Sequence, residues 1–263
     1  MDHQSLTIVK LGGKLIDQER LFRESLSSFS GLEGPKILVH GGGASATRLA
    51  DRMGVIATMV DGRRITDKSM LEIAVMVYGG KINKQIVGQL QALGVNALGL
   101  TGADLNLIQA HKRPVTHIDY GFVGDIDEIN LPMLIQLLDL SITPVFAPIT
   151  HDLKGQLLNT NADTIASTLA RALSSQYEVN LVFCFDKPGV LRDPAEEISL
   201  IKEISTENFE QLKSQHIITE GMIPKLDNAF DAIRAGVKNV FLCSPSQIQN
   251  IRLDTFSGTR LFT

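Results

Sequence analysis

The sequence predicts an α/β fold of three layers, α/β/α, with a mainly parallel central sheet, and three observations carry the prediction. Strand-like and helix-like segments alternate along the whole chain. A strand that returns to its own sheet through a helix runs parallel to its neighbour and leaves that helix on one face. The first two of these units share one pattern, a strand ending in glycines that open a helix. The 263 residues, 44% apolar and 21% charged, suffice for the core of one large domain or two lobes, and they exclude a disordered, collagen-like or coiled-coil chain.

Residues 6–10 form the first strand candidate. Gly12 and Gly13 follow, and Leu15, Leu21, Phe22, Leu26 and Phe29 recur at helical spacing until Gly31 and Gly34-Pro35 stop the helix. Residues 36–40 repeat the unit. There Gly41, Gly42 and Gly43 lead into a helix over 44–53, with Gly54 placed to cap its end. A long helical pattern covers 68–93, with Thr66 as its cap, and a strand follows over 97–100. Polar, turn-rich residues 111–130 and 150–160 interrupt the alternation, with Gly121, Gly124 and Gly155 at loop or hairpin positions. A substrate lid and a solvated β-hairpin are the two readings of this stretch. The remaining elements are helices over 131–140, 162–173, 208–214 and 224–235 and strands over 143–149, 179–185 and 237–243. Ser174-Ser175-Gln176 separate a helix from a new strand, which puts any lobe boundary within 171–179.

Charge and cysteine usage exclude several functions. With 25 basic against 29 acidic residues, a net charge of −4 and no basic stripe, the chain is not built to follow a nucleic-acid backbone. Cys184 and Cys243 lie far apart without metal-ligand spacing and are expected to be buried free thiols. The six histidines show no metal-binding pattern either, so no resident metal is expected. The N-terminus lacks a basic and an apolar region, and no run of about 18 apolar residues occurs, so the expectation is a soluble cytoplasmic protein with no membrane partner.

Glycines between a strand and a helix let backbone amides approach a ligand at the electropositive start of the helix, a setting that suits an anion. Lys10 stands two residues before Gly12, within reach of such an anion. The phosphate loop GxxxxGK[ST] is absent, because Gly12-Gly13-Lys14 is followed by Leu15 and Gly79-Gly80-Lys81 by Ile82. A dinucleotide fingerprint does fit Gly41-x-Gly43-x-x-Ala46, with Asp61 roughly twenty residues on. Plain tight turns are the third reading. Arg63 and Arg64 form either a solvated pair or a fork for a carboxylate. Asn159 and Asp163 flank Asn161, a natural helix cap, and supply more polar groups than one cap requires. Lys225 follows Pro224 into a helix and points to solvent or to a ligand; spacing alone does not choose.

The ordered motifs Lys10-Leu-Gly-Gly13, His40-Gly-Gly-Gly43, Gly62-Arg-Arg64, Asn159-x-Asn161-Ala-Asp163, Asp186-Lys-Pro-Gly-Val190, Gly221-Met-Ile-Pro-Lys225 and Gly258-Thr-Arg260 resemble the amino acid kinase family over essentially the whole chain. They are most similar to its members that phosphorylate an N-acylated glutamate. The resemblance implies the carbamate kinase-like fold in two lobes, residues 1–171 binding the acceptor and dimerising, residues 172–263 binding ATP, with Mg²⁺ carried by the nucleotide. It implies that Lys10 and Lys225 neutralise the transferring phosphoryl from opposite lobes while Asp163 orients both. Gly12 and Gly13 would serve the phosphates, and Gly42 and Gly43 the acceptor side. Arg64 would clamp the α-carboxylate, with Asn159 bonded to the same substrate. Asp186, Gly189, Val190, Leu191, Ile217, Ile218 and Thr219 match nucleotide-contacting positions. The implied product is an acyl phosphate, formed in the second step of arginine biosynthesis.

Departures from the family pattern bear on the details. Only about five residues precede Leu6, where arginine-inhibited members carry a further helix, so a homodimer without an arginine-sensing hexamer is expected. Lys187 and Arg63 add charge where members carry small or apolar residues. Arg63 could then meet an added carboxylate, as in N-succinyl-L-glutamate. Other acceptors of the family (glutamate, aspartate, carbamate) stay open, as does an NAD(P)-dependent oxidoreductase, whereas a nucleoside monophosphate is disfavoured because by resemblance Arg64 and Asn159 suit an amino-acid carboxylate better. The oxidoreductase reading leaves Lys10, Gly12, Gly13, Asp163 and Lys225 without a role, and a non-catalytic sensor reading predicts the loss of at least one of Lys10, Asp163 and Lys225, all of which are present.

Overall fold

The computed structural model describes residues 4–60, 63–193, 195–215, 217–218 and 222–263. In chain order, the strands of its two larger sheets are β1 (Ser5–Leu11), β2 (Lys36–His40), β3 (Ala97–Leu100), β4 (Ile108–Lys112), β5 (Gly124–Ile129), β6 (Thr143–Phe146), β7 (Ile149–His151), β8 (Leu157–Asn159), β9 (Glu178–Cys184), β10 (Glu203–Ser205), β11 (Asn239–Cys243) and β12 (Thr259–Phe262). The central sheet has eight strands in the order β10-β12-β11-β9-β1-β2-β6-β3. Its six strands from β11 to β3 run parallel, whereas β12 returns antiparallel beside β11 with β10 parallel to it. The parallel six are those the sequence predicts. β10 and β12 are not anticipated, being three and four residues long and mixed in polarity.

β1 shows why the strands read as continuous apolar runs. Successive side chains point to opposite faces, and both faces are covered. Leu6 and Ile8 join the core under α6 (Leu131–Asp139), α7 (Ala162–Leu173), α8 (Thr206–Ser214) and α9 (Ile223–Arg234). Val9 and Leu11 join a second core under α2 (Glu19–Ser30), α3 (Gly43–Arg52), α4 (Lys68–Ala74) and α5 (Asn83–Ala92), while α1 (Gly13–Ile16) is the short helix after the first glycine turn. The three layers follow. The helical run expected over 68–93 is continuous, but Val75–Ile82, which include Gly79 and Gly80, wind as a π-helix between α4 and α5. Its cap is Asp67, whose carboxylate accepts from the amide of Met70 at 2.8 Å. Thr66, expected in that role, is fully buried instead.

The strand expected over 143–149 divides at Pro148, which has no N–H to donate. β6 stays in the central sheet and β7 enters a separate four-stranded sheet, order β8-β7-β4-β5. That small sheet is built from the two polar stretches. Gly121 and Gly155 turn the chain with φ of +70° and +93°. Gly124 is not a turn residue but opens β5, where a Cβ would lie 2.7 Å from the Thr160 hydroxyl. Gly54 lies just past α3 with φ +73°, as a helix end requires. The expected lobe boundary falls in the turn between α7 and β9, and the central sheet continues across it.

Candidate active site

The carboxyl ends of parallel strands, beside helix N-termini, are where α/β sheets bind ligands. Lys10 stands there on β1, between Phe183 of β9 and Val39 of β2, and is 6% exposed. Asp163 lies in the first turn of α7, which Asn161 caps by accepting from the amides of Asp163 (2.8 Å) and Thr164 (3.2 Å). Lys225 lies in the first turn of α9. The structure brings the three together: Lys10 Nζ is 2.8 Å from Asp163 Oδ1, and Lys225 Nζ is 3.1 Å from Oδ2. Coulombic attraction and a side-chain hydrogen bond to Asp163 both favour the charged form of Lys10.

Burial depresses the pKa of Lys10; the Asp163 carboxylate opposes this and Lys225 adds to it. Burial alone would raise that of Asp163, but the ammonium groups of Lys10 and Lys225 outweigh it and hold the carboxyl at about 2. Two ammonium groups against one carboxylate leave a surplus positive charge in a buried place, which an anion would neutralise. The sign for stability follows from the depressed value. Asp163 contributes fully above its ordinary value of 3.8, and the contribution is lost as pH falls through about 2. Urea titrations are expected to show stability falling between those pH values in the wild type, with a shallower fall in Asp163→Asn.

The two glycine turns meet beside Lys10. Each extends the sheet by one amide, Gly12 donating to Cys184 at 2.9 Å and Gly41 to Leu11 at 3.0 Å. A Cβ on Gly13 would lie 3.2 Å from the Gly42 nitrogen, and one on Gly41 3.0 Å from the Gly13 nitrogen. The first-turn amides of α1 and α3 have no acceptor within their helices, so both turns present donors to one space. Asp17 ties them together: its carboxylate accepts from Arg48 (3.0 Å) and Ser45 (2.6 Å), and the Arg48 bond is the leading cause that lowers its pKa.

Arg64 is 9% exposed and lies against the start of α3, donating to the Gly43 carbonyl at 2.9 Å and to Thr47 at 2.8 Å. Asn159 donates to the Thr66 hydroxyl at 3.0 Å, and the Asn159 amide bonds to the Phe122 carbonyl at 2.9 Å. The small sheet thereby fixes Arg64 and Asn159 relative to each other. Any Cβ on Gly121 would lie 2.2 Å from the Thr66 carbonyl oxygen. Gly121→Ala is therefore expected to destabilise the chain by about 1–3 kcal/mol, read as a lower urea midpoint.

Asp186 is exposed after β9. Gly189 is packed so closely that a Cβ would lie 2.5 Å from Thr259 Oγ1. Val190 and Leu191 form a two-stranded ribbon with residues 200–201 and are buried, as is Ile218, while Ile217 is partly buried. Thr219, Gly221, Asp61 and Gly62 lie outside the described residues. The dinucleotide reading loses its geometry, because the chain after α3 makes a ribbon of residues 59–60 and 63–64 outside the central sheet rather than a strand beside β2. Cys184 and Cys243 are buried free thiols, opposite each other on β9 and β11.

Sequence reasoning missed Asp17, Thr47 and Asn83, and it noted Thr259 within Gly258-Thr-Arg260 without giving it a role. Thr259 Oγ1 donates to Ile201 at 2.6 Å and accepts from Val190 at 2.8 Å, locking the ribbon to β12. Asn83 carries no signal in the sequence, since Lys81, Lys84 and Gln85 around it are polar too.

The model of the amino acid kinase family matches residues 5–244. The chain is 52% identical over 259 residues to acetylglutamate kinase of Parabacteroides distasonis, covering 98% of this chain and 100% of the relative. Among solved structures it resembles N-acetylglutamate synthase from Neisseria gonorrhoeae complexed with coenzyme A and N-acetyl-glutamate (TM-score 0.84, 21% identity, 100% of this chain and 60% of that one). It also resembles carbamate kinase from Giardia lamblia bound to AMP-PNP (TM-score 0.68, 16% identity, 100% of both chains).

Proposed function

The chain belongs to the amino acid kinase family, and from that premise we propose that it transfers the γ-phosphoryl group of ATP to the side-chain carboxylate of N-acetyl-L-glutamate, in the second step of arginine biosynthesis. The observation that carries the reading is the trio of Lys10, Asp163 and Lys225, the first two buried and the third partly exposed, beside two facing glycine turns. Phosphoryl transfer requires positioning and charge stabilisation more than covalent chemistry, and this trio offers both. In our assignment residues 1–171 bind the acceptor and residues 172–263 the nucleotide. Lys10 and Lys225 neutralise the phosphoryl oxygens as the bond to the leaving oxygen lengthens, and Asp163 keeps both ammonium groups in place. Amides of Gly12, Gly13, Gly42 and Gly43 donate to the oxygens between the turns. Arg64 and Asn159 hold the acceptor. The nucleotide lies along Asp186, Gly189, Val190, Leu191, Ile217 and Ile218, with Thr219 outside the described residues, and Mg²⁺ carried on its phosphates would screen their charge.

The test is ADP release from MgATP in the presence of hydroxylamine, with N-acetyl-L-glutamate, N-succinyl-L-glutamate and free glutamate compared. Turnover with a trapped hydroxamate on the acetylated substrate is expected. Hydroxamate from neither acylated glutamate would return the acceptor to the rest of the family. Arg64→Ala is expected to raise the acceptor KM by about 10–100-fold with a smaller change in kcat, because a carboxylate clamp acts on ground and transition states alike. A fall in kcat at constant KM would move Arg64 into the chemistry.

A second acceptor, N-succinyl-L-glutamate, draws on Arg63, which is exposed next to Arg64 and close enough to Asp125 to help the Arg113 fork hold that carboxyl below its usual range. An unchanged substrate preference in Arg63→Leu would remove this support. No described helix is long and apolar enough to cross a membrane. A cytoplasmic homodimer completes the proposal, and the dimer is supported by a groove of about 550 Å³ in which Leu71, Val75, Met76, Phe122 and Leu157 lie beside Lys68, Glu72 and Gln156. Sedimentation equilibrium tests the dimer.

A further inference from the structure

We propose that His40 and Asn83 are positioning residues that aim the Gly42 amide into the space between the two glycine turns; the proposal rests on the phosphoryl-transfer reading of that space. His40 ends β2 and is completely buried. Its Nδ1 lies 2.8 Å from the Gly41 carbonyl oxygen. A carbonyl oxygen only accepts, so Nδ1 carries the ring proton and Nε2 is left as an acceptor. Asn83 Nδ2 faces that acceptor at 3.3 Å.

The amide of Asn83 is itself fixed at both ends. Nδ2 also donates to the Val145 carbonyl at 2.9 Å, and Oδ1 accepts from Lys84 Nζ at 3.1 Å. A flipped amide would lose both bonds. Asn83 therefore presents a donor to the ring and selects the tautomer with its proton on Nδ1. Burial lowers the His40 pKa to about 4, so the ring is neutral at neutral pH.

The consequence passes through one peptide plane. The bond between Gly41 and Gly42 is trans and planar, so its C=O and N–H point in opposite directions. With the carbonyl held by His40, the Gly42 N–H points away from the imidazole, and its nitrogen lies beside the Gly13 turn, 3.2 Å from where a Gly13 Cβ would be. The π-helix closes the other side: a Cβ on Gly42 would lie 2.6 Å from Ile82 Cδ1 and 2.8 Å from Tyr78 Cδ1. The donor is held in place before any substrate arrives, the condition under which a hydrogen bond to developing charge is most effective.

The experiment uses the full chain and the variants His40→Leu, His40→Asn and Asn83→Leu. The Asn side-chain nitrogen takes the place of Nδ1 and can donate to Gly41, whereas Leu cannot. kcat is expected to fall about 10–100-fold in His40→Leu, less than loss of a whole donor. Asn83→Leu is expected to lie between His40→Leu and the wild type, and His40→Asn to recover most of kcat. Urea midpoints separate this pattern from simple destabilisation. Equal losses in His40→Leu and His40→Asn at equal midpoints, or an unchanged kcat in His40→Leu, would overturn the proposal. Two spectroscopic readouts do not require turnover. Nitrogen-15 NMR of the wild type is expected to show the neutral Nδ1–H tautomer of His40, and the Nε2–H tautomer would overturn the proposal even if His40→Leu does not fold. The Gly42 amide is expected to shift on addition of MgADP with aluminium fluoride, a shift diminished in His40→Leu. If the wild type phosphorylates no acceptor but both spectra are as expected, the functional reading fails and the geometry stands.

Discussion

Lys10→Ala is expected to lower kcat by about 10²–10³-fold while changing the acceptor KM little, the scale found when one pre-placed donor to developing charge is removed. The side chain lies on a central strand with two neighbours and is 6% exposed, so water replaces it poorly. The fold should survive, because Lys225 still pairs with Asp163 at 3.1 Å. Steady-state kinetics with a urea midpoint for each variant make the test, and a near-normal kcat would remove Lys10 from the chemistry. Lys225→Ala is expected to act in the same direction.

Asp163→Asn is expected to act on both activity and stability. Removing one partner from a buried ionic group costs about 3–5 kcal/mol, because the remaining charges lose compensation. Here two ammonium groups would face each other across a neutral amide. The lowered pKa of Lys10 gives the variant a way out, since that lysine can release its proton as pH rises. Stability of the variant is therefore expected to recover with increasing pH, while kcat stays low for lack of a second cation at Lys10. Stability independent of pH above neutrality would show that the lysines part and reach solvent instead.

Local pattern made the strand, glycine turn and helix units legible, and with them Lys10 and the donor glycines. A helix cap made Asn161 legible too, since capping depends on neighbours in the chain. The convergence of Lys10, Asp163 and Lys225 came from likeness to a family, because residues so far apart in sequence leave no mark in spacing. Asn83, Asp17 and Thr259 stayed hidden for the same reason, each acting on a partner distant in sequence. The division of the strand over 143–149 at Pro148 was not legible, because Pro144 in the same stretch stays inside β6. β10 and β12 were not readable, because such short strands are held by their neighbours rather than by their own residues.

The position of β1 also bears on how the chain is made. Its residues pair with β2 about thirty residues on, but with β9 at a separation such as Ser5 with Glu178. Domains assemble as the ribosome releases them, and contacts distant in sequence form late. β1 thus waits with one edge open until the β9 segment has emerged. During that interval the apolar edge of β1 is a template for intermolecular pairing, so nascent chains halted before β9 should engage holding chaperones far more than chains halted after it.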